Sequence, residues 1–314
     1  MANRREVFIG IDVHKDTLEV RVDESEERWE VSNDAAGIEE LITALGSLSP
    51  ALVVVEASGG YERVVVAQGY AAGLPMVVVN PTRVRRLAEA LGIIAKTDAI
   101  DAQVIARFAA LVRPAVQEPQ SAQQQQLDAL VTRRRQLIGM RTAEKSRLST
   151  CPEWMRTDIA EHVAWLDGRI EELEGEITDM LTNNPSWRKL TALLSSVPGI
   201  GEVTAATLVA ELPELGTINR QKIAALTGLA PYNRDSGPRK RTRRIFGGRA
   251  QTRCVLYMAT LSAIRHNPVI RHFYERLIEC GKIKKVAVTA CMRKLLVIVN
   301  AMVRNQEHWH YDPA

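Results

Sequence analysis

The order of short β-branched runs and helical patterns between residues 6 and 115 most constrains the fold of this chain. Two strand-like runs come first and a third can pair beside them, so the region begins like a β-hairpin. Helices then alternate with two further strands, which predicts a mixed sheet with helices on both faces. The strand-like runs cover residues 7–11, 17–22, 28–31, 52–55 and 76–79. The helical patterns cover residues 38–45 and 61–72.

Beyond this region the pattern changes. Pro114, Pro119 and the glutamine-rich stretch 123–126 mark a boundary, after which long helical patterns dominate. We therefore predict three parts. Residues 1–116 form an α/β domain with the element order of the RNase H-like (RuvC-like) fold. Residues 117–185 form a helical, coiled-coil linker, and residues 186–314 form a mainly α-helical domain.

The linker carries an apolar repeat in a strict four-three rhythm, which is the a/d seam of a coiled coil. A looser apolar stripe covers residues 127–148, and Cys151-Pro152 lies between the two patterns. An antiparallel helical hairpin is predicted. Its seam is either the internal core of one chain or a coiled coil that dimerises. The seam residues are Ile159, Val163, Leu166, Ile170, Leu173, Ile177 and Met180.

Composition limits the classes of protein that fit. The four cysteines contain no Cys-x-x-Cys pair, so neither a zinc knuckle nor a disulfide framework is expected. We find no signal-peptide pattern and no apolar run that approaches the ~20 residues needed to span a bilayer. A cytoplasmic protein with no membrane partner is therefore expected. The net charge of +4 is mild, but basic residues cluster at 133–147 and 234–253, which favours local contacts with a polyanion.

Four carboxylates are placed to hold metal ions. Asp12 and Glu56 each stand at the end of an apolar strand, and neighbouring strands would bring them to one sheet edge, where a cation offsets their repulsion. Asp98 and Asp101 share one face if their segment is helical, although Asp98 is also a plausible helix cap. Carboxylates suit Mg²⁺ (or Mn²⁺), and two such ions about 3.5–4 Å apart can clamp a phosphodiester.

A second motif, Ser-Val-Pro-Gly-Ile-Gly at 196–201, precedes an apolar helical pattern over 203–212. It resembles a helix-hairpin-helix, in which a glycine-rich turn lets backbone N–H groups approach a DNA phosphate. Gly199 and Gly201 are then predicted to bind nucleic acid. A plain turn between two helices is the alternative.

A third motif is the basic segment 232–249, whose glycines and Pro238 predict a loop. Ser236 lies in it among many cations, which would favour its alkoxide, although Asp-Ser-Gly is also simply a good turn. Tyr232 and Tyr257 are equally good nucleophiles on sequence grounds alone. The residues expected to contact phosphate are Arg234, Arg239, Lys240, Arg241, Arg243, Arg244 and Arg249.

Motifs along nearly the whole chain carry a family resemblance. They include Ile-Gly-Ile-Asp-Val-His-Lys (9–15), Glu-Ala-Ser-Gly-Gly-Tyr-Glu (56–62) and Lys-Thr-Asp-Ala-Ile-Asp-Ala (96–102). Further on are Gly-Leu-Ala-Pro-Tyr-Asn-Arg-Asp-Ser-Gly (228–237) and Gly-Gly-Arg-Ala (247–250). In combination they resemble the DEDD transposases of insertion sequence family 110, and within it the 1111-like subgroup.

The resemblance implies an RNA-guided DNA recombinase. In that family a bridge (guide) RNA from the element's non-coding end pairs with target and donor DNA. Strands are cut and rejoined one at a time through a Holliday-junction-like intermediate. Ser236 would be the nucleophile that forms a 5′-phosphoserine link, and Asp12, Glu56, Asp98 and Asp101 would hold the metal. A homo-oligomer, from dimer to tetramer, would combine the acids of one subunit with the serine of another. The resemblance also implies that the helical hairpin at 117–185 serves oligomerisation, which favours self-association over internal core.

Other functions remain open on the residues alone. One is a RuvC-like, metal-dependent Holliday-junction nuclease that uses water as nucleophile. Another is a non-catalytic scaffold that binds nucleic acid. An actin-like ATPase is suggested by Ile-Gly-Ile-Asp, but the later glycine-rich phosphate loops are missing from the sequence. Pro238 also restricts Gly237, which leaves the geometry of the Ser236 loop open.

Overall fold

The computed structural model describes residues 6–93, 97–116, 120–232 and 244–311. The chain divides into two compact units, Met1–Gln120 and Ser121–Ala314. In the first unit the strands are β1 (Phe8–Val13), β2 (Thr17–Val22), β3 (Arg28–Ser32), β4 (Leu52–Glu56) and β5 (Met76–Val79). Its helices are α1 (Ala35–Leu48), α2 (Arg63–Ala71), α3 (Pro81–Ala90) and α4 (Asp98–Val112).

The five strands form one sheet in the order β3-β2-β1-β4-β5. The first three strands are antiparallel, while β4 and β5 join β1 as parallel strands. Since side chains alternate between the faces of a strand, the sheet has two cores. One core packs against α1 and α2, and the other against α3 and α4. The predicted mixed sheet with helices on both faces is thereby confirmed.

Helix α4 lies directly on the central strand β1 at Gly10. A Cβ atom at Gly10 would come within 3.0 Å of backbone atoms of Ala102, Ile105 and Ala106. Only a residue without a side chain allows this approach, because the strand backbone and the helix backbone are in contact. The contact fixes the start of α4 near the end of β1 that carries Asp12.

The second unit is mostly helical in the part that the structure describes. Its only strands there are β6 (Pro231–Tyr232) and β7 (Arg244–Ile245), which pair as an antiparallel two-residue ladder. A short 3-10 turn, Glu153–Met155, precedes the second of its helices. The helices are α5 (Ala122–Leu148), α6 (Arg156–Asn183), α7 (Pro185–Ser195), α8 (Glu202–Glu211), α9 (Arg220–Leu226), α10 (Ala250–His266), α11 (Pro268–Glu279) and α12 (Lys284–Asn305).

Helices α5 and α6 form the predicted antiparallel hairpin. Leu137 of α5 packs with Leu166, Ile170 and Leu173 of α6 in a small core of its own. The seam of α6 is therefore buried within this chain, as the internal-core interpretation expected. Its last buried position is Leu181, whereas Met180, the predicted one, is only partly buried. A helix of 3.6 residues per turn drifts away from a strict seven-residue repeat, which accounts for the shift.

The remaining helices pack around a larger core to which the root of the hairpin contributes Leu127, Val131 and Ile177. Helix α12 runs through this core. By length and composition it could span a membrane, contrary to our expectation from the apolar runs. However, 56% of its most apolar window is buried among the other helices, as in the core helix of a folded domain.

The contact at Gly10 gives a first prediction. Gly10→Ala should lower the free energy of unfolding by about 2–3 kcal/mol or more, because the added methyl group meets helix backbone that has no free space to move into. Gly46→Ala is the matched control, since Gly46 lies in α1 with no atom within 4 Å of a built Cβ. It should be neutral or stabilising by up to ~1 kcal/mol. Urea unfolding followed by circular dichroism measures both, and equal stability of the two variants would contradict the packing described.

Candidate active site

Two of the predicted acids lie side by side on the parallel strands β1 and β4. The ladder pairs Gly10 with Val54 and Ile11 with Val55, so that Asp12 and Glu56 are the next positions on the two strands. Both follow the alternation that directs Gly10 and Val54 toward α4, because side chains two residues apart share a face. Asp12 is only 8% exposed, while Glu56 is half-buried.

The third acid comes from helix α4. The helix begins at Asp98 and is capped by Thr97, whose hydroxyl accepts a hydrogen bond from Ile100 N at 3.3 Å. Asp101 follows in the first turn, half-buried, and lines the same cleft as Glu56. The side chain of Asp98 lies outside the described residues. The structure thus places Asp12, Glu56 and Asp101 on the face of the sheet that α4 covers. Their role as metal ligands stays a prediction.

The cleft that holds Glu56 and Asp101 is about 540 Å³ in volume. The rest of its lining comes from helix α3, whose polar members there are Thr82, Arg85, Arg86 and Glu89. The acids therefore share the cleft with two guanidinium groups and one further carboxylate. The sequence reasoning assigned no role to these two arginines, because nothing in the spacing of α3 shows which helix face meets the acids.

The donor atoms can be tested against the metal that the sequence predicts. Among the residues that the structure describes, no group of three or more His, Cys, Asp or Glu side chains is arranged to hold a metal ion. The oxygens of Asp12, Glu56 and Asp101 are nevertheless hard ligands of the kind that Mg²⁺ prefers. In donor chemistry these carboxylates fit a divalent cation, with Asp98 as the fourth predicted member.

Two residues beside Asp12 were missed by the sequence reasoning. His14 places Nε2 3.4 Å from Oδ2 of Asp12. Glu19 is directly opposite Asp12 on β2 and is only 5% exposed. Its carboxylate lies 3.9 Å from the guanidinium Nε atoms of both Arg21 and Arg28, which offset its charge. The alternation of Thr17–Val22 gives no sign of this, because it places Glu19 on the polar side of the strand, away from Leu18, Val20 and Val22 of the core.

Glu62 organises the turn that follows Glu56. Burial opposes ionisation of its carboxyl group, but hydrogen bonds from Gly60 N, Ser58 N and the Ser58 hydroxyl outweigh burial, and its pKa lies below the ordinary value of 4.5. The two backbone bonds measure 2.8 Å and 3.1 Å. The side chain thus holds the glycine turn between β4 and α2 in place. It belongs to the motif at 56–62 but had been given no role.

In the second unit, the predicted serine Ser236 lies outside the described residues, as do Arg234, Arg239, Lys240, Arg241 and Arg243. The structure describes the two ends of their segment. Strands β6 and β7 pair Tyr232 with Arg244 and so hold residues 232 and 244 together. These short strands were not predicted, because the segment had been assigned entirely to a loop.

The base of this hairpin is a contact between two glycines. A Cβ atom at Gly248 would come within 3.0 Å of the backbone of Gly228, and one at Gly228 would meet Gly247. The side chain of Arg253 donates to the carbonyl oxygens of Thr227, at 3.1 Å, and of Gly247. The start of the motif at 228–237 and the motif at 247–250 are therefore packed closely together at Gly228, Gly247 and Gly248.

Arg249 is the residue before α10, and its side chain is bonded to other groups of the second unit. Its guanidinium makes two 2.6 Å bonds to the carboxylate of Glu214 and one of 2.8 Å to the carbonyl of Glu211. Burial raises the pKa of Glu211 against the hydrogen bond from Thr252 that lowers it. A structural role for Arg249 is thus described, whereas Arg244 is exposed on β7. Nucleic-acid binding by either arginine stays a prediction.

The turn at 196–201 lies between α7 and α8. A Cβ at Gly199 would come within 2.6–2.7 Å of Ala263 on α10, so the absence of a side chain here allows the turn to pack closely against α10. Gly201, the residue before α8, is exposed and has no atom within 4 Å of a built Cβ. Internal packing accounts for Gly199, and binding of DNA at either glycine stays a prediction.

Two protein-family models match this chain, and both describe transposases. Residues 9–151 match a transposase family model of the DEDD type of IS110, and residues 191–275 match the transposase IS116/IS110/IS902 family. The chain is 30% identical over 312 residues to the pilin gene-inverting protein of Moraxella bovis, covering 95% of each chain. It is 24% identical to the transposase for insertion sequence element IS1328 of Yersinia enterocolitica, covering 73% of this chain and 75% of that one.

Among solved structures, T. thermophilus RuvC in complex with a Holliday junction substrate is similar over 34% of this chain and 96% of that chain. The identity is 17% and the TM-score is 0.27.

The Glu62 turn gives a prediction about pH. Because folding lowers the pKa of Glu62, its ionised form stabilises the fold above pH 4.5, and this contribution is lost as the pH falls through the lowered value. Glu62→Gln should therefore be less stable than wild type at pH 7, and the gap should shrink below about pH 4.5. Thermal unfolding across this range measures it. Glu40→Gln, on the exposed side of α1, should show no such convergence.

The glycine contact at the hairpin base gives a prediction about stability. Gly247 and Gly248 have nearly the same positive φ, +69° and +67°, so an alanine at either position carries similar backbone strain. Gly247 has no atom within 4 Å of a built Cβ, whereas Gly248 has the backbone of Gly228 there. Gly248→Ala should thus cost about 2 kcal/mol more than Gly247→Ala in urea unfolding. Similar costs would show that the contact is not tight.

Proposed function

We propose that this chain, which belongs to the IS116/IS110/IS902 transposase family, is a DNA recombinase that cuts and rejoins strands with the aid of the acids at the end of its sheet. One observation carries the proposal. Asp12 and Glu56 stand at adjacent positions on neighbouring parallel strands, and Asp101 shares the cleft of Glu56. Carboxylates brought together in this way repel one another, which a bound cation relieves, and a phosphodiester is a substrate on which such a site can act.

The strand order of the first unit supports an RNase H-like assignment within this proposal. Asp12, Glu56, Asp98 and Asp101 would hold Mg²⁺ or Mn²⁺. When bound, such an ion neutralises charge on the phosphate and on the oxygen that leaves it. The residues of the chain itself orient the site. The contact of α4 with Gly10 positions Asp101 beside the sheet, and the Glu62 turn fixes the chain that follows Glu56.

Ser236 is the proposed nucleophile. Its Oγ would attack the phosphorus, a P–Oγ bond would form, and the bond to the 3′ oxygen would break. The serine proton passes to solvent, and the departing 3′ oxygen takes up a proton, which leaves a 5′-phosphoserine link and a free 3′-OH. Attack by the 3′-OH of another strand reverses these steps and restores the serine. The resemblance of 228–237 to the family motif supports this role, and the pairing of β6 with β7 holds the ends of the segment.

The partners proposed for the enzyme come from the family resemblance. They are target and donor DNA, a bridge RNA from the element's non-coding end, and further copies of the chain, from a dimer to a tetramer. The basic residues between β6 and β7 are suited to phosphate contacts with either nucleic acid. Because the α6 seam is buried against α5, assembly would have to use other faces of the hairpin. A cytoplasmic location is consistent with these partners.

Covalent trapping tests the proposal. Wild type, incubated with Mg²⁺, a nicked suicide substrate from the element's end and RNA transcribed from the flanking non-coding DNA, should form a protein–DNA adduct that survives denaturation. Ser236→Ala should lose the adduct. Asp101→Asn should slow cleavage by at least ~10²-fold, because a charge-stabilising group is lost from the transition state. Asp179→Asn, an exposed acid of α6, is the matched control and should cleave normally.

The outcomes separate the alternatives. Cleavage without an adduct, retained by Ser236→Ala, would indicate a metal-dependent junction nuclease that uses water. A wild-type chain that binds DNA but cleaves nothing, under any metal, would indicate a scaffold. Equal adduct yields with and without the RNA would overturn the guided reaction while leaving the serine chemistry intact.

A further inference from the structure

The cleft that holds Glu56 and Asp101 also carries two arginines of α3. Arg85 and Arg86 both line the cleft, together with Thr82 one turn earlier. Arg83, on the same helix, is directed elsewhere, and its guanidinium lies 5.2 Å from the centre of the Phe108 ring. Two of these three arginines therefore line the cleft that holds the acids, and the third lies against the ring of Phe108.

The helix that carries these arginines is firmly placed. It starts at Pro81 and is capped by Asn80, whose side chain accepts a hydrogen bond from Thr82 N at 2.9 Å. Val84 and Ala88, on the opposite side from solvent, are 4% exposed and belong to the core under α4. The backbone positions of Arg85 and Arg86 are thus fixed relative to the sheet that carries Glu56.

The ion pair of Arg85 with Glu89 adds to this arrangement. Nε of Arg85 lies 3.8 Å from Oε1 of Glu89, one turn further along the helix, and both side chains are exposed. Such an exposed pair contributes little to stability. It is better suited to directing the guanidinium along the cleft than to holding the helix together.

The two guanidinium groups and the size of the cleft fit a phosphate that a cation brings to the acids. Carboxylates alone repel a phosphodiester, and even with a cation bound on their side the outer oxygens of the phosphate need a positive partner. A guanidinium offers donors in a planar fork that matches two phosphate oxygens. The cleft volume of about 540 Å³ lies within the range of ~300–1,000 Å³ usual for small-ligand sites, enough for a phosphate and its adjoining sugars.

We infer that Arg85 and Arg86 are catalytic residues that bind the nonbridging oxygens of the scissile phosphate, in the cleft that they share with the acids. The inference rests on the proposed function, since it names the groups that contact the substrate at that same site. The guanidinium groups would stabilise the negative charge that builds up on these oxygens while the phosphorus is attacked. A purely structural role, in which the arginines only offset the charge of the acids, makes different predictions.

The test compares single-turnover cleavage by wild type, Arg85→Gln, Arg86→Gln and the double variant, on the substrate and RNA used for trapping. Each single variant should be slower by about 10²–10³-fold, the usual effect of losing one transition-state donor. Arg83→Gln removes the same charge from the same helix and should stay within a few-fold of wild type. DNA affinity should change little, because two contacts are lost from a large interface.

A neutral methylphosphonate at the scissile position makes the test specific. This substitution removes the charge that the arginines are inferred to stabilise. Wild type should be slowed by it, whereas the double variant should be slowed far less, because its partner charge is already missing. Equal slowing of wild type and double variant would overturn the inference, and so would normal cleavage by the double variant.

Metal affinity distinguishes the structural role. Mn²⁺ titration followed by electron paramagnetic resonance should give the same Kd for wild type and the double variant if the arginines act on the phosphate. A Kd changed by tenfold or more would mean that they organise the acids, and would overturn the inference. Absence of any cleavage by wild type would instead reject the proposed function, so the two failures are distinguishable.

Discussion

The backbone contact between Gly10 and α4 is the constraint on which the first unit depends. Gly10 is in the middle of the central strand, and a side chain there would collide with the backbone of the helix. Because the helix lies so close, its first turn reaches the strand end that carries Asp12, and Asp101 meets the cleft of Glu56. The acids are far apart in the chain, so this one contact converts separate strand ends and a helix start into a common site.

Close backbone contacts at glycines also shape the second unit. Gly228 and Gly248 bring two backbone stretches into contact, and Arg253 and Arg249 donate to neighbouring carbonyl and carboxylate oxygens. Next to this contact β6 pairs with β7, so the described residues on either side of the basic segment are held together. In both units the glycines lie where backbones touch, and the charged residues are arranged around those contacts.

Much of the fold followed from local patterns. Strand and helix positions in the first unit depend on alternation and on β-branched runs, and the acids could be placed because parallel strands end at a common edge. The last seam position, Leu181, was missed because a straight helix drifts from a strict heptad. Glu19, the Glu62 turn and the Arg85–Arg86 pair could not be read from spacing, since each depends on which distant element packs beside it. The roles assigned to Asp98 and Ser236 rest on the sequence pattern and the family resemblance alone.

The pairing of β6 with β7 has a consequence for how the sequence between the two strands can vary. Tyr232 and Arg244, the last described residue before that stretch and the first after it, lie opposite each other in the ladder. The entropy of closing a loop rises only slowly with its length, so insertions or deletions between two paired ends cost a protein little stability. The helical core of the second unit should therefore keep its stability when the length of that stretch changes.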